Sequence, residues 1–484
     1  MTKINTIFDA EIYENGLYDS QGVKIKYRSY KDIVYVSNPS DKIQKLNIFV
    51  PAVFYEGGNI GGYTLKTAPI FMPNSVGGYM QGPPQEPGED FTGKPNIIAK
   101  ALERGYVVVS PGIRGWNSFV EKDNKEKLYT GKAPAMILDA LAAVRYLKYN
   151  SKTIPGDTEH IISSGTSAGG TLSALMGTAS GDPVYESYLA QMGAAPAEDK
   201  IFASNCYCAT LDLENSDIAY EWLFKGICDY HFLKVEFTEG GIKAQVVDGI
   251  MDEKDIEVSQ SLAKMYPEYL NSLGLKDEAG NPLTLDEKGE GSFKEYMKGC
   301  LIQSAQRSLE GGEKAPESGL IGSVFTKPSE AQWVTIEEGR VKDIDWQGYL
   351  TFITRMKAAP AFDKADASTV EGETFGNEKG ERRHFTEFSA ALGPEYAMAE
   401  QEVIYMMNPV KLIKSGRSDI VRHWRVRHGS LDRDTSLAVP VMFSLLLKNC
   451  GCDVDFHIPW GRPHGGDYDA PELFDWIDSL CKRK

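Results

Sequence analysis

The sequence predicts an α/β protein: a mainly parallel sheet covered by helices on both faces, with a large region inserted late in the sheet. Three observations carry that reading. From about residue 40 to 180 short β-rich runs alternate with helical ones, from about 205 to 400 the rhythm fails, and beyond 400 it returns. Alternation favours parallel strands, because a parallel connection needs a crossover long enough to hold a helix. The expected organisation is residues 1–204 for the first part of the core, 205–400 for an inserted, largely separate region and 401–484 for the second part of the core.

The elements follow in order. "KLNIFVPAVFY" (45–55) and "APIFMPN" (68–74) read as strands, "IIAKALERGY" (97–106) as a helix and "VVVSPGIRG" (107–115) as a strand. "APAMILDALAAVRYLKYN" (133–150) is a long amphipathic helix by its apolar spacing, and "EHIISSG" (159–165) is the next strand, with "AGGTLSALMGTAS" (168–180) the helix after it. The middle region, with segments such as "LKDEAGNPLTLDEKGEGSFKEY" (275–296) and "SLEGGEKAPESG" (308–319), reads as helices joined by long polar loops. Past it come a strand at 420–430, a helix at 436–451, a strand at 453–460 and a closing helix at 470–482.

Composition narrows the function. A chain of 484 residues with 42% hydrophobic and 25% charged residues has the make-up of a globular protein. A net charge of -16 argues against nucleic acid or an anionic membrane surface as partner and suits an uncharged or cationic small substrate. The seven cysteines include the CxC pairs Cys206/Cys208 and Cys450/Cys452 but no CxxC and no Cys/His metal spacing. They read as buried reduced thiols, with no metal or cofactor expected. The first residues lack an apolar signal core, and no run approaches the roughly 18 apolar residues of a membrane span. The expectation is a soluble, cytoplasmic protein; its oligomeric state is left unassigned.

The chemistry centres on "IISSGTSAGGTLSALM" (161–176), where Gly165, Ser167 and Gly169 fall between a predicted strand and a predicted helix. G-x-S-x-G alone is a weak signal; at a strand-to-helix junction it marks a strained turn that holds a serine hydroxyl at the end of a sheet. The helix start behind it offers the Ala168 N–H to a developing oxyanion. A serine needs a base, and His464 in "PWGRPHGGDYD" follows the last predicted strand on a Gly-rich loop. His457 lies inside that strand, while His423 and His428 precede the acid position. Asp432 and Asp434 in "RHGSLDRDTS" are both candidates for the acid that orients the imidazole, and spacing does not choose between them. The chain order Ser, Asp, His is that of α/β-hydrolases. Gly77 and Gly78 in "NSVGGYM" are candidates for the second oxyanion donor, on a loop after an early strand.

Together "GTSAGG", "NSVGGYM", "NCYCATLDLENSDIAYEW" (205–222), "RHGSLDRDTS" and "PWGRPHGGDYD" resemble bacterial tannases of the smaller, intracellular type. The resemblance implies an α/β-hydrolase core with a large lid and a cofactor-free serine esterase. Its substrates would be galloyl esters: gallotannins, alkyl gallates and galloylated catechins. It also implies Asp432 as the triad acid and Asp434 as a ligand of the galloyl hydroxyls. Lys357 in "TRMKAAPAFD" and Glu371 in "STVEGETFGN" join Asp434 in that implied role, with Glu373 as the substitute for Glu371. Two carboxylates and an ammonium can pair three phenolic hydroxyls and reject a ring that lacks them. The competing readings are a feruloyl or other aryl carboxylesterase with the same triad, and a non-catalytic hydrolase-like binding protein. A serine peptidase is disfavoured, since no propeller repeats are present to cover the site.

Overall fold

The computed structural model describes residues 6–90, 92–123, 125–238, 241–311 and 327–482. Nine strands form its central sheet: β1 (Glu14–Ser20), β2 (Val23–Val34), β3 (Lys45–Pro51), β4 (Pro69–Asn74), β5 (Val107–Pro111), β6 (Asp157–Thr166), β7 (Ala203–Tyr207), β8 (His423–Arg427) and β9 (Asp453–His457). Their spatial order is β1-β2-β3-β5-β4-β6-β7-β8-β9. The pairings are antiparallel from β1 to β5 and parallel from there to β9. In the middle of the sheet β4 and β5 are short and largely apolar, as suits strands buried on both faces; Val107, Val108 and Val109 are wholly buried.

Five helices of the core are α1 (Ile97–Arg104), α2 (Ala135–Tyr149), α3 (Ala168–Thr178), α4 (Ala438–Asn449) and α5 (Ala470–Cys481). The start and stop of α1 are local: the Asn96 side chain accepts from the Ala99 N–H, and Gly105 ends the helix in the left-handed conformation. The connection through α1 steps from β4 back to β5, whereas those through α2, α3 and α4 step the other way. Right-handed crossovers running in opposite directions put their helices on opposite faces of the sheet. The reversal at β4 leaves a crevice at the carboxyl ends of the strands, the usual place for a site in an open α/β sheet.

The alternating elements lie where the periodicity put them, except that the strand expected over 45–55 ends at Pro51 and gives way to a 3-10 helix, Ala52–Glu56. The structure adds β1 and β2, which that reading did not include, and β7, in which the expected boundary at 204/205 falls. β7 reads "ASNCY" and escapes an apolar count because its buried polar groups are paired instead: Ser204 Oγ donates to Ser173 O (2.8 Å) and Asn205 Nδ2 to Ser164 Oγ (2.8 Å).

Between β7 and β8 the chain forms helices, the longest Glu253–Ser272 and Ser292–Leu309, and also two hairpins, Asp229–Thr238 with Gly241–Ile250 and Val334–Glu337 with Arg340–Ile344. Helices and polar loops were expected; the hairpins correct that. The polar stretch at 308–319 passes outside the described residues beyond Gly311. This region closes over the loop after β8: Tyr349 Oη donates to Ser430 O (2.7 Å), Tyr220 Oη to Arg433 O (2.9 Å) and Ser436 Oγ to Ala219 O (2.9 Å). A wholly buried ion pair, Arg355 with Glu221 at 2.5 Å, fixes its interior. Among the described residues no helix is long and apolar enough to cross a membrane.

Candidate active site

Parallel register aligns the strand ends. Asn74 pairs with Gly165, Thr166 with Tyr207, Tyr207 with Arg427 and Arg427 with His457. The segments just past these residues therefore meet at one edge: the loop from Ser75, Ser167, Cys208, the loop 428–436 and the loop carrying His464.

Ser167 joins β6 to α3 with φ 57° and ψ -125°, a conformation that costs a non-glycine residue of order 1–3 kcal/mol. The turn is held by the Ser167 N–H, which donates to Tyr207 O (2.9 Å). The flanking glycines are required by space. A Cβ on Gly165 would lie 2.2 Å from Gly169 O, and one on Gly169 would lie 2.8 Å from Asn74 O and 3.0 Å from Val76 O. Ala168 opens α3, so its N–H belongs to the helix start, where backbone donors have no intrahelical partner.

Gly77 and Gly78 lie on the loop that packs against this helix start through Val76 O. A side chain at either would meet open space, and Gly78 adopts φ +52°. The loop is braced by Trp116 Nε1, which donates to Gly78 O (3.0 Å), and by the Met80 N–H, which donates to Gly77 O (3.0 Å). Tyr79 turns inward with its hydroxyl 3.5 Å from Thr171 Oγ1. Burial raises its pKa, and the Glu371 carboxylate raises it further.

His464 Nδ1 lies 3.0 Å from Asp432 Oδ2, and its Nε2 lies 3.9 Å from Asp434 Oδ2. Asp432 is 2% exposed, and its Oδ1 accepts the Asp434 N–H (2.9 Å). Burial alone would raise the Asp432 pKa; the His464 and His428 imidazoles outweigh it and hold the carboxyl well below the usual range. Burial likewise works against charge on His464, but Asp432 and then Asp434 hold its pKa well above the ordinary value. The histidine loop is seated by Gly466, where a Cβ would lie 1.9 Å from Thr166 Oγ1, and by Gly465 O, which accepts from the Cys208 thiol (3.2 Å).

The residues expected at the galloyl ring divide into two groups. Lys357 Nζ lies 3.1 Å from Asp434 Oδ1 and donates to Asp434 O (3.1 Å), so this lysine from the region between β7 and β8 reaches the loop after β8. Burial opposes its charge, yet Asp434 and Glu371 together keep its pKa raised. Glu371, 7% exposed, faces the same cluster; burial pushes its carboxyl up to about 7 against the pull of Lys357. Glu373 is elsewhere, paired with Lys132 at 3.2 Å and Arg382 at 2.6 Å. The two glutamates share the short helix Val370–Thr374, and a separation of two residues, about 200° around a helix, sends them to different sides. This corrects the substitution of Glu373 for Glu371.

Sequence reasoning missed three residues at this edge. Tyr79 lies in the glycine loop, Cys208 is one of the thiols the sequence reads as buried and reduced, and His428 precedes the acid position. His428 Nδ1 in fact lies 3.6 Å from Asp432 Oδ2. Only the "CYC" and "RHGS" strings hinted at them, and neither string states that β7 and β8 are neighbours.

The BD-FAE family model matches residues 76–206, from the glycine loop through Ser167 to β7. No curated protein sequence matches significantly. Solved structures match along nearly the whole chain. A tannase from Fusobacterium nucleatum is 41% identical with TM-score 0.90, covering 99% of each chain. A tannase from Lactobacillus plantarum is 40% identical with TM-score 0.91, covering 99% of this chain and 100% of that one. A tannin acyl hydrolase in complex with ethyl gallate is 40% identical with TM-score 0.89, covering 98% and 99%. With this likeness over 98–99% of its length, the chain belongs to the tannase (tannin acyl hydrolase) family, carboxylic ester hydrolases of α/β-hydrolase fold.

Proposed function

We propose that this chain hydrolyses galloyl esters through an acyl-enzyme on Ser167. His464 takes the Ser167 proton through Nε2 as the hydroxyl attacks the ester carbonyl, and Asp432 holds the other ring nitrogen and stabilises the imidazolium. The N–H of Ala168 and that of Gly77 or Gly78 receive the oxyanion. The alcohol or phenol leaves with the proton from His464, and water, deprotonated by the same imidazole, releases gallate.

The ring hydroxyls are assigned to Asp434, Lys357 and Glu371. The observation that carries this reading is the position of Asp434, bonded to Lys357 on one side and 3.9 Å from the His464 base on the other. A charged triplet beside the reacting centre suits a ring rich in hydroxyls. A ferulate-type ring, with one hydroxyl and one methoxy group, would pair fewer of these charges, which disfavours the aryl-esterase alternative. Two relatives support the ligand class, being tannin acyl hydrolases in complex with ethyl gallate and with 3,4-dihydroxybenzoate. Glu371, poised near neutrality, can either accept from or donate to a phenol.

The inserted region, expected at 205–400, is proposed to be the lid that brings Lys357 and Glu371 to the core. A comparison of methyl gallate, methyl ferulate and a short aliphatic ester tests the substrate reading. The gallate ester is expected to be turned over with the highest kcat/KM; equal or better turnover of the ferulate ester would reject it.

A further inference from the structure

We propose that Cys208, His428 and Asp432 form a buried site for a zinc-class divalent cation, and that its occupation withdraws Asp432 from His464 and switches the esterase off. The inhibitory half rests on Asp432 acting as the triad acid; the binding half does not.

The three residues come from the ends of β7 and β8, and one potential ligand atom of each lies within 4.8 Å of those of the other two. All three are buried, at 0% exposure for Cys208 and His428 and 2% for Asp432. Thiolate, imidazole and carboxylate are the donor types zinc selects, with bonds of about 2.0 to 2.3 Å. Side-chain rotation would have to draw the donors in to those bond lengths, and water would complete the shell.

The observation that points to a ligand is His428. Neither of its ring nitrogens has a hydrogen-bond partner among the described residues, although the imidazole is wholly buried. Such buried orphans are costly unless a ligand satisfies them. Nδ1 faces Asp432 Oδ2 at 3.6 Å, too far for a good hydrogen bond but suited to sharing a cation. The Cys208 thiol completes the triangle and spends its proton on Gly465 O (3.2 Å) in the histidine loop.

Binding breaks the Cys208 S–H bond, releases the proton to water and forms a sulfur–metal bond, with no change of oxidation state. The carboxylate oxygen that would ligate the cation, Asp432 Oδ2, is the one that His464 Nδ1 uses at 3.0 Å. A cation there neutralises the charge that favours the imidazolium and competes with the ring N–H for the oxygen. The base is left unoriented.

The test titrates the chelator-treated full chain with Zn²⁺ by calorimetry, alongside methyl gallate turnover, for wild type, Cys208→Ser and His428→Gln. We expect one saturable equivalent in the wild type, inhibition that follows its occupancy and reverses with a chelator, and both weakened by about tenfold or more in each variant. Losing a ligand should cost at least what losing a ligand's outer partner costs. Co²⁺ bound to the wild type provides a readout that needs no variant: thiolate-to-cobalt charge transfer is expected. Absence of a saturable equivalent, an equivalent unchanged in both variants, or a cobalt spectrum without thiolate character overturns the site. Cys208-dependent binding with undiminished turnover overturns the switch, and with it the role of Asp432 rather than the site.

Discussion

Asp434 Oδ2 lies 3.9 Å from His464 Nε2, so the proposed base stands between two carboxylates, Asp432 behind it and Asp434 in front. In the proposed reaction the front carboxylate serves two ends: with Lys357 it would meet the substrate ring, and it favours the protonated imidazole.

The first prediction follows from that charge. The His464 pKa is raised by Asp432 and then by Asp434, so the active neutral base is formed only as pH rises through the raised value. Asp434→Asn removes one negative charge and leaves the Lys357 ammonium without its nearest carboxylate; both changes disfavour the imidazolium. The acidic limb of kcat/KM is expected to move to lower pH by roughly 1 unit, measured in metal-free buffer on an ester lacking ring hydroxyls. A limb that stays in place or moves up would contradict the assignment.

The two glutamates of the helix Val370–Thr374 should separate cleanly. Glu371→Gln is expected to raise KM for methyl gallate about tenfold, the worth of one charge-assisted hydrogen bond, with little effect on an ester of unsubstituted benzoate. Glu373→Gln should leave KM for gallate unchanged and lower stability by about 1 to 2 kcal/mol, because Lys132, 6% exposed at its side chain, loses its carboxylate. Steady-state kinetics and urea unfolding distinguish the two; a gallate defect in the Glu373 variant would reverse the assignment.

Space, rather than charge, sets the third prediction. Gly169→Ala would drive a methyl to 2.8 Å from Asn74 O and 3.0 Å from Val76 O, levering the Gly77–Gly78 loop away from the Ala168 N–H. A displacement near 1 Å at reacting groups costs about 10²-fold in rate, so kcat on methyl gallate should fall by about that factor. Gly77→Ala meets open space and should keep most activity. Equal rates for the two variants would remove the loop from the oxyanion account.

Lys357 depends on a buried pair one layer below. Arg355 Nε donates to Lys357 O (2.7 Å) while its guanidinium is clamped by Glu221 at 2.5 Å, with both side chains wholly buried. Glu221→Ala strands that cation and is expected to destabilise the fold by about 3 to 5 kcal/mol. At temperatures where the variant is folded, KM for gallate should rise before kcat falls. Denaturant melts and kinetics on one preparation check both.

The sequence disclosed what is local. Gly165, Ser167 and Gly169 announce a strained junction because the apolar period changes from strand to helix across them, and His464 stands out because a glycine loop follows a final strand. The choice of Glu371 over Glu373 depended on which side of a five-residue helix faces the core, which such a short helix does not reveal in its pattern. β7 escaped because Ser204 and Asn205 satisfy their burial by hydrogen bonds rather than by being apolar. Cys208 meets Asp432 only because β7 and β8 are neighbours in the sheet, a fact of topology that no spacing along the chain records, whereas His428 reaches Asp432 from four residues earlier in the same loop.

The central claim is that Ser167 is the group that becomes acylated. A fluorophosphonate, which phosphonylates only an activated serine, followed by peptide mapping, tests it most directly. One phosphonyl group per chain on Ser167, with esterase activity lost in step and labelling slowed by orders of magnitude in His464→Ala, is the expected result. Labelling at another residue as activity disappears, or no labelling while turnover persists, would contradict it.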